Sequence, residues 1–419
     1  MNFGLLSLAA LVLAIGIGFF RKLNTGLLAI AFAVILGKMA GFREADVIGG
    51  WSTNLFIMLL GVTFLFSIAQ TNGTLELFAR KVVAISGKQT RLIPWAIYFL
   101  TMFLAAIGPG TIPVMALIAP IGMALAAEMK ISPLLLAPIG VLGSAAGGIS
   151  PIAPTGIIGT TLAAQQGIVG IGMPYFYNSL IGETLVVAFL YIVLGGYKIK
   201  SEKVLRNADL PTFNKKQMIT MAGIVAMVFI VLLTKSNVGL VAFVVGVALL
   251  WIGVADERKS IAGIPWGTLI LVCGVGVLMN LAIKLKGIEM LAQFLASFMN
   301  PSTASPIIGL TAGIMSWFSS TSGVVMPTLI PTVSALVKSL GGNVSQLDLI
   351  SSITMTAHTA GVSPASTGGA LALASYAANA HVSEADQNKL FMQMFAVAVG
   401  SVLFMTLVAA TGIYRIWGL

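Results

Sequence analysis

Hydroxyl side chains, glycines and prolines at fixed spacing are the groups in this chain that could do chemistry. Gly147 to Gly156 reads GGISPIAPTG and Thr359 to Gly369 reads TAGVSPASTGG. Gly148, Ser150, Pro151 and Gly156 therefore correspond to Gly361, Ser363, Pro364 and Gly369 at an offset of 213. Two further clusters precede them: IGPGTIP from Ile107 to Pro113, and SSTSG from Ser319 to Gly323. None of the four contains Asp, Glu, Lys or Arg. Gly and Pro interrupt the helical ladder and leave N–H and C=O groups without intrahelical partners. Helix N-termini then present positive dipole ends to an anion, while carbonyls and hydroxyls are hard oxygen ligands for a cation such as Na+. The candidate anion-binding residues are Gly110, Thr111, Ser150, Pro151 and Thr155 in one half of the chain. In the other they are Ser320, Thr321, Ser322, Ser363, Pro364, Ser366 and Thr367. Gly108, Gly148, Ser319 and Gly361 are candidate Na+ ligands through backbone and hydroxyl oxygens, and no covalent cofactor is expected.

Catalytic readings fare worse. Ser322 and His358 could be written as a Ser–His dyad, but catalysis gives no reason to build each site twice. No His-Glu-x-x-His, Walker or Gly-x-Ser-x-Gly pattern occurs, so metalloprotease, ATPase and hydrolase signals are absent. The chain is not expected to be an enzyme. His358 is a titrating group beside the second cluster, which keeps a proton-coupled variant in view. Glu183 is an acid near the outer end of a predicted helix and reads as interfacial. Cys273 is the chain's one cysteine and lies in an apolar run, where a small buried packing residue is expected.

The elements that must position these groups follow from composition. The 419 residues are 58% hydrophobic and 9% charged, with a mean hydropathy of +1.01. Soluble domains carry about 25% charged residues. Apolar runs near the ~20 residues needed to cross a bilayer recur throughout. The chain reads as an all-α polytopic membrane protein. Crossings are predicted at 4–20, 25–40, 52–71, 134–165, 178–197, 217–234, 237–254, 265–283, 348–380 and 389–414. Segments 92–127 and 305–338 are punctuated in the middle, so each is two crossings or a re-entrant hairpin. The N-terminal run has no preceding basic region, and Arg21 and Lys22 follow it, which suits a retained helix.

The repeat organises these elements. PVMALIAPIGMAL (113–125) aligns with VVMPTLIPTVSAL (324–336), matching Met115 to Met326 and Pro120 to Pro331 at 211. LLGVTFLFSIAQTNGTLE (59–76) aligns with LVCGVGVLMNLAIKLKGIE (271–289) at 213 to 214. Each half holds five crossings and one hairpin, an odd number, so the halves are expected to be inverted: residues 1–197 and 217–419, joined by a cytoplasmic linker at 198–216. Inverted repeats with broken helices are the signature of secondary transporters. Of the 23 basic residues, only Lys38, Arg43, Lys235, Lys284, Lys286, Lys338 and Arg415 fall opposite the linker. The positive-inside bias then places both termini outside. The excess of basic over 13 acidic residues thus reports orientation, and no nucleic-acid partner is expected.

The paired tips and breaks, GPGTIP…GGISPIAPTG and SSTSGVVMPT…AGVSPASTGG, resemble the ion transporter superfamily, which includes the divalent anion/sodium symporters. Leu59 to Thr74, LLGVTFLFSIAQTNGT, looks like the N-terminal region of MatC-type malonate and dicarboxylate carriers. The resemblance runs from about residue 50 to 380. It implies symport of a small dicarboxylate with Na+, a homodimer in the inner membrane, and an elevator mechanism in which hairpins and broken helices move as a transport domain. The symporters carry Ser-Asn-Thr at both tips; here the tips read Gly108-Pro109-Gly110-Thr111 and Ser319-Ser320-Thr321-Ser322. The large membrane subunit of tripartite periplasmic carriers has similar hairpins and is the alternative; it requires a small membrane partner and a substrate-binding protein.

Overall fold

The computed structural model describes residues 2–417 except 22, 85–88, 200–209, 235 and 378–382. Most of the linker expected at 198–216, with Lys200, Lys203 and Arg206, lies outside the described residues. The first half contains α1 (Phe3–Arg21), α2 (Thr25–Met39), α3 (Glu44–Ile48), α4 (Thr53–Thr71) and α5 (Thr74–Ala84), then α6 (Ile93–Ala106), α7 (Thr111–Met129), α8 (Pro133–Gly148), α9 (Pro154–Ala164) and α10 (Gly172–Val193). The second half repeats that order: α11 (Lys215–Thr234), α12 (Val238–Trp251), α13 (Glu257–Ala262), α14 (Trp266–Lys284), α15 (Gly287–Ala296), α16 (Ala304–Ser316), α17 (Thr321–Ser339), α18 (Gln346–Ala360), α19 (Thr367–Ala377) and α20 (Glu384–Ala410). No strand occurs among the described residues.

Local chemistry sets matching starts. Asn24 caps α2 by accepting from Gly26 N at 2.9 Å, and Asn237, 213 positions later, caps α12 by accepting from Gly239 N at 3.0 Å. An Asn side chain satisfies one of the orphan N–H groups of a first helical turn. Both amides also reach across the molecule: Asn24 Nδ2 donates to Gly267 O at 2.8 Å and Asn237 Nδ2 to Asn54 Oδ1 at 3.2 Å. Gly73 and Lys286, again 213 apart, both take left-handed backbone (φ 74° and 61°) to turn the chain into α5 and α15.

Packing between the halves is reciprocal. α2 lies on α14 and α12 on α4; α7 touches α19 and α17 touches α9; α10 touches α18 and α20 touches α8. This is the pattern a two-fold axis imposes. Its tightest points are glycine crossings. A Cβ on Gly26 would collide with the backbone at Ile270 and Leu271, and one on Gly239 with the backbone at Ile57 and Met58. Bare backbone lets helices approach closely where lipid supplies no hydrophobic drive between them.

Among the described residues, four helices are long and apolar enough to cross a membrane: Thr53–Thr71, Gly172–Val193, Trp266–Lys284 and Ala385–Ala410. α16 and α17 form a pair bent by 118°. Val12, Leu233 and Trp251 are exposed on α1, α11 and α12, as a lipid-facing rim requires. The protein is a multi-pass membrane protein. The crossings predicted at 134–165 and 348–380 are each two helices, α8/α9 and α18/α19, parted at 149–153 and 361–366. α5 and α15 fall in segments read as loops, because their amphipathic sequences lack a continuous apolar run.

Candidate functional site

The breaks are built alike. Ser150 N donates to Gly147 O and Ala153 N to Ser150 O, both at 2.9 Å; Ser363 N donates to Ala360 O and Ser366 N to Ser363 O, also both at 2.9 Å. Pro154 opens α9, where its missing N–H costs nothing. Gly156 and Gly369 sit against the break itself: a Cβ on either would collide with the carbonyl oxygen of Ser150 or Ser363.

The first tip seats on the first break. Gly108 (φ 140°) and Gly110 (φ 78°) make the turn between α6 and α7, Gly108 against the Phe66 ring and Gly110 against Pro154. Thr111 Oγ1 lies 3.3 Å from Thr155 Oγ1, and Gly148 leaves no room for a Cβ beside the Thr111 hydroxyl. Thr111, Pro154 and Thr155 border a cavity of about 30 Å³ that also takes Thr63 from α4, Thr268 from α14 and Ser322 from the second tip. Such a volume holds about one water-sized group. Thr111 and Ser322 are 211 apart in sequence, the offset of the hairpin repeat, yet line the same cavity. Helices α7, α9 and α17 all begin beside it, and its largely apolar lining, with Leu59, Ile112, Ile158 and Leu269, carries five hydroxyls and no charged side chain.

The second tip is wired differently. Ser363 Oγ donates to Trp317 O (2.9 Å), Ser366 Oγ to Ser319 O (3.1 Å) and Thr321 Oγ1 to Ala357 O (2.9 Å). Ser319 Oγ donates to Met315 O at 2.7 Å, and Ser320 Oγ accepts from Gly323 N at 3.1 Å. The hydroxyls of Thr321, Ser363 and Ser366 thus latch the tip of α16/α17 to α18 and its break, while those of Ser319 and Ser320 bond within the tip. Pro364 and Gly361 are buried in that turn, whereas Pro151 and Thr367 are exposed. The expected residues thus fall into a cavity group (Thr111, Thr155, Ser322, with Gly108, Gly110 and Gly148 behind them), a latch group (Thr321, Ser363, Ser366), a group buried or bonded locally at the tips and breaks (Ser150, Ser319, Ser320, Gly361, Pro364), and two at the surface.

Thr63 and Thr268 were missed because each is one hydroxyl in an apolar helix. Glu183 corrects an expectation. It is fully buried, not interfacial; Thr359 Oγ1 donates to its Oε2 at 3.4 Å, and Oε1 has no partner among the described residues. α10 starts at Gly172, not 178, which moves Glu183 to mid-helix. His358 is buried on α18, with Nδ1 unpartnered among the described residues. Asp348, also buried, accepts from Arg415 Nε (2.7 Å) and Ser305 Oγ (2.8 Å), a tie between α18 and the C-terminal turn. Cys273 is buried as expected.

The fold resembles the crystal structure of the Alcanivorax borkumensis YdaH transporter, with a TM-score of 0.59, 10% sequence identity and 88% of each chain covered. Residues 1–148 match the family model described as the dicarboxylate carrier protein MatC N-terminus. No curated protein matches the chain. The fold is that of a multi-pass helical membrane protein, shared with this transporter structure. The family-model match runs from α1 to the end of α8; it includes α1 and α2, which precede the stretch where the sequence resemblance begins.

Proposed function

We propose that this chain is a secondary active transporter of a small dicarboxylate anion, malonate or a C4 acid, coupled to Na+. The observation that carries the reading is the uncharged cavity whose otherwise apolar lining holds five hydroxyls and beside which three helices begin. Dipole ends and hydroxyl donors favour a carboxylate without a fixed cation, and the family match supports a dicarboxylate. Thr111, Thr155 and Ser322 bind a single carboxylate oxygen of the anion, the cavity they border being about that size, and carbonyls at Gly108, Gly148, Ser319 and Gly361 serve Na+. Residues 1–197 and 217–419 are inverted repeats in the inner membrane, with both termini outside. Two copies form a dimer, and the hairpins with their broken helices travel as an elevator between the two faces. The test is uptake of radiolabelled malonate and succinate into liposomes holding only this protein. Accumulation driven by an inward Na+ gradient is expected. No uptake with Na+, with or without a pH gradient, overturns the reading.

A further inference from the structure

Above the hydroxyl cavity lies a larger one, about 280 Å³, whose polar lining is neutral: Ser52, Gln165, Gln166 and Asn280. The two spaces are stacked. Ile158 borders both; Leu55 and Val272 border the upper one, and Leu59 and Leu269, about one helical turn along α4 and α14, border the lower. The side chains of Gln165 and Asn280 make no hydrogen bond to another described residue, so their amides are left to water or solute. The upper cavity meets the face that carries the start of α4 and the end of α9.

The two-fold relation between the halves makes this cavity's counterpart identifiable. At the offset of 213, Met279 and Asn280 of α14 correspond to Phe66 and Ser67 of α4. Met279 and Asn280 border the open cavity. Phe66 is buried against Gly108 of the first tip, and Ser67 is buried with its hydroxyl donating to Ser260 O at 2.6 Å. Gly50 lies near Asn280 Cβ and Gly263 near the Ser67 hydroxyl, so each position keeps its glycine neighbour at the same offset while its side chain differs.

We propose that the cavity bordered by Gln165 and Asn280 is the aqueous access chamber through which a small carboxylate reaches the hydroxyl site, and that Phe66 is the plug that shuts the equivalent path from the opposite face. The carboxylate part of this rests on the proposed transport function; the chamber and plug rest on geometry alone. Neutral amides suit a passage, because they hydrate an anion without the deep trap a fixed cation would make. Conduction needs binding strong enough to enter and weak enough to leave.

The chain's one native thiol makes a clean test. In a Cys273→Ser background, Gln165→Cys, Asn280→Cys and Ser67→Cys are placed separately in sealed vesicles. Each is treated with a membrane-impermeant charged thiol reagent from either face, folding being checked by a single symmetric elution peak. Gln165→Cys and Asn280→Cys are expected to react from one face only. Ser67→Cys, reached only in a minority state of about 10% or less, should react about tenfold more slowly. Adding Phe66→Ala should speed Ser67→Cys from the other face. Inert chamber thiols in folded protein, reaction from both faces alike, or a Ser67→Cys rate equal to the others overturns the proposal. Malonate should slow labelling of Asn280→Cys. Labelling from one face that no dicarboxylate slows would uphold the chamber and overturn the dicarboxylate reading, so the two failures are distinguishable.

Discussion

Ser322 and Ser363 are both small hydroxyls in the second half, yet they hold different positions in the chemistry. Ser322 borders the shared cavity, while Ser363 spends its proton on Trp317 O. A hydrogen bond to a charged group contributes about 1.5–3 kcal/mol, and 1.4 kcal/mol is a factor of ten in affinity. Thr111→Ala, Thr155→Ala or Ser322→Ala should therefore raise the half-saturating dicarboxylate concentration about tenfold, with little change in melting temperature. Ser363→Ala and Ser366→Ala remove latch bonds between neutral groups, worth about 1 kcal/mol each. They should lower the melting temperature in detergent and leave half-saturation within about twofold. Uptake curves and melts on the same preparations would show whether cavity and latch separate this way; equal affinity losses in both sets would merge them. Serines, threonines, glycines and prolines were legible in the sequence as the site's vocabulary. Which hydroxyl faces a cavity and which a carbonyl was not, because that depends on how a tip docks on a helix broken some 40 residues away.

Among elements, the breaks and crossings rest on glycines that tolerate no side chain. Gly156 and Gly369 each face a carbonyl of their own break. Overpacking a tight site costs about 1–3 kcal/mol, and here the obstacle is backbone, which yields less than a rotamer. Gly156→Ala and Gly369→Ala should each shift α9 or α19 at its N-terminus, abolish uptake and reduce recovery of monodisperse protein. Wild-type uptake by either variant would show that the break relaxes freely. The glycine crossings at Gly26 and Gly239 hold one half against the other. Gly239→Leu should accordingly destabilise the whole protein, read as early aggregation on heating, whereas Gly253→Leu is no control, since Gly253 takes left-handed backbone (φ 78°). Gly16, with open space around it, is the matched control, and Gly16→Leu should leave the melt unchanged. The broken helices could be anticipated because Pro and Gly act locally on hydrogen bonding. α5 and α15 could not, since a hydropathy scan rewards continuous apolar runs and these helices are amphipathic.

At the scale of the molecule, the reciprocal contacts make the two halves one assembly around the cavity to which Thr111 and Ser322 both contribute. The proposed dimer predicts a detergent-corrected mass near twice 43.6 kDa by light scattering; a monomer active in transport would remove the dimer from the mechanism. The proposed topology predicts that a reporter fused to the C-terminus is active only outside the cytoplasm. A cytoplasmic C-terminus would invert the assignment, and with it the face onto which the Gln165 chamber opens.

The sequence by itself determined a membrane protein of two repeats, each with a punctuated hairpin followed by a broken helix. Those properties are written in composition, in backbone chemistry and in an offset of 213 that survives across hundreds of residues. Only the tertiary structure decided that the repeats are unequal. It set one hydroxyl cavity against one latch, opened a chamber at Asn280 where Ser67 is shut, and buried Glu183 beside Thr359. The physical reason is that periodicity and spacing fix which elements form and where they break. Occupancy of a cavity depends on which side chains of sequence-distant helices meet in it, and Phe66 against Met279 is a difference of shape that no local pattern announces.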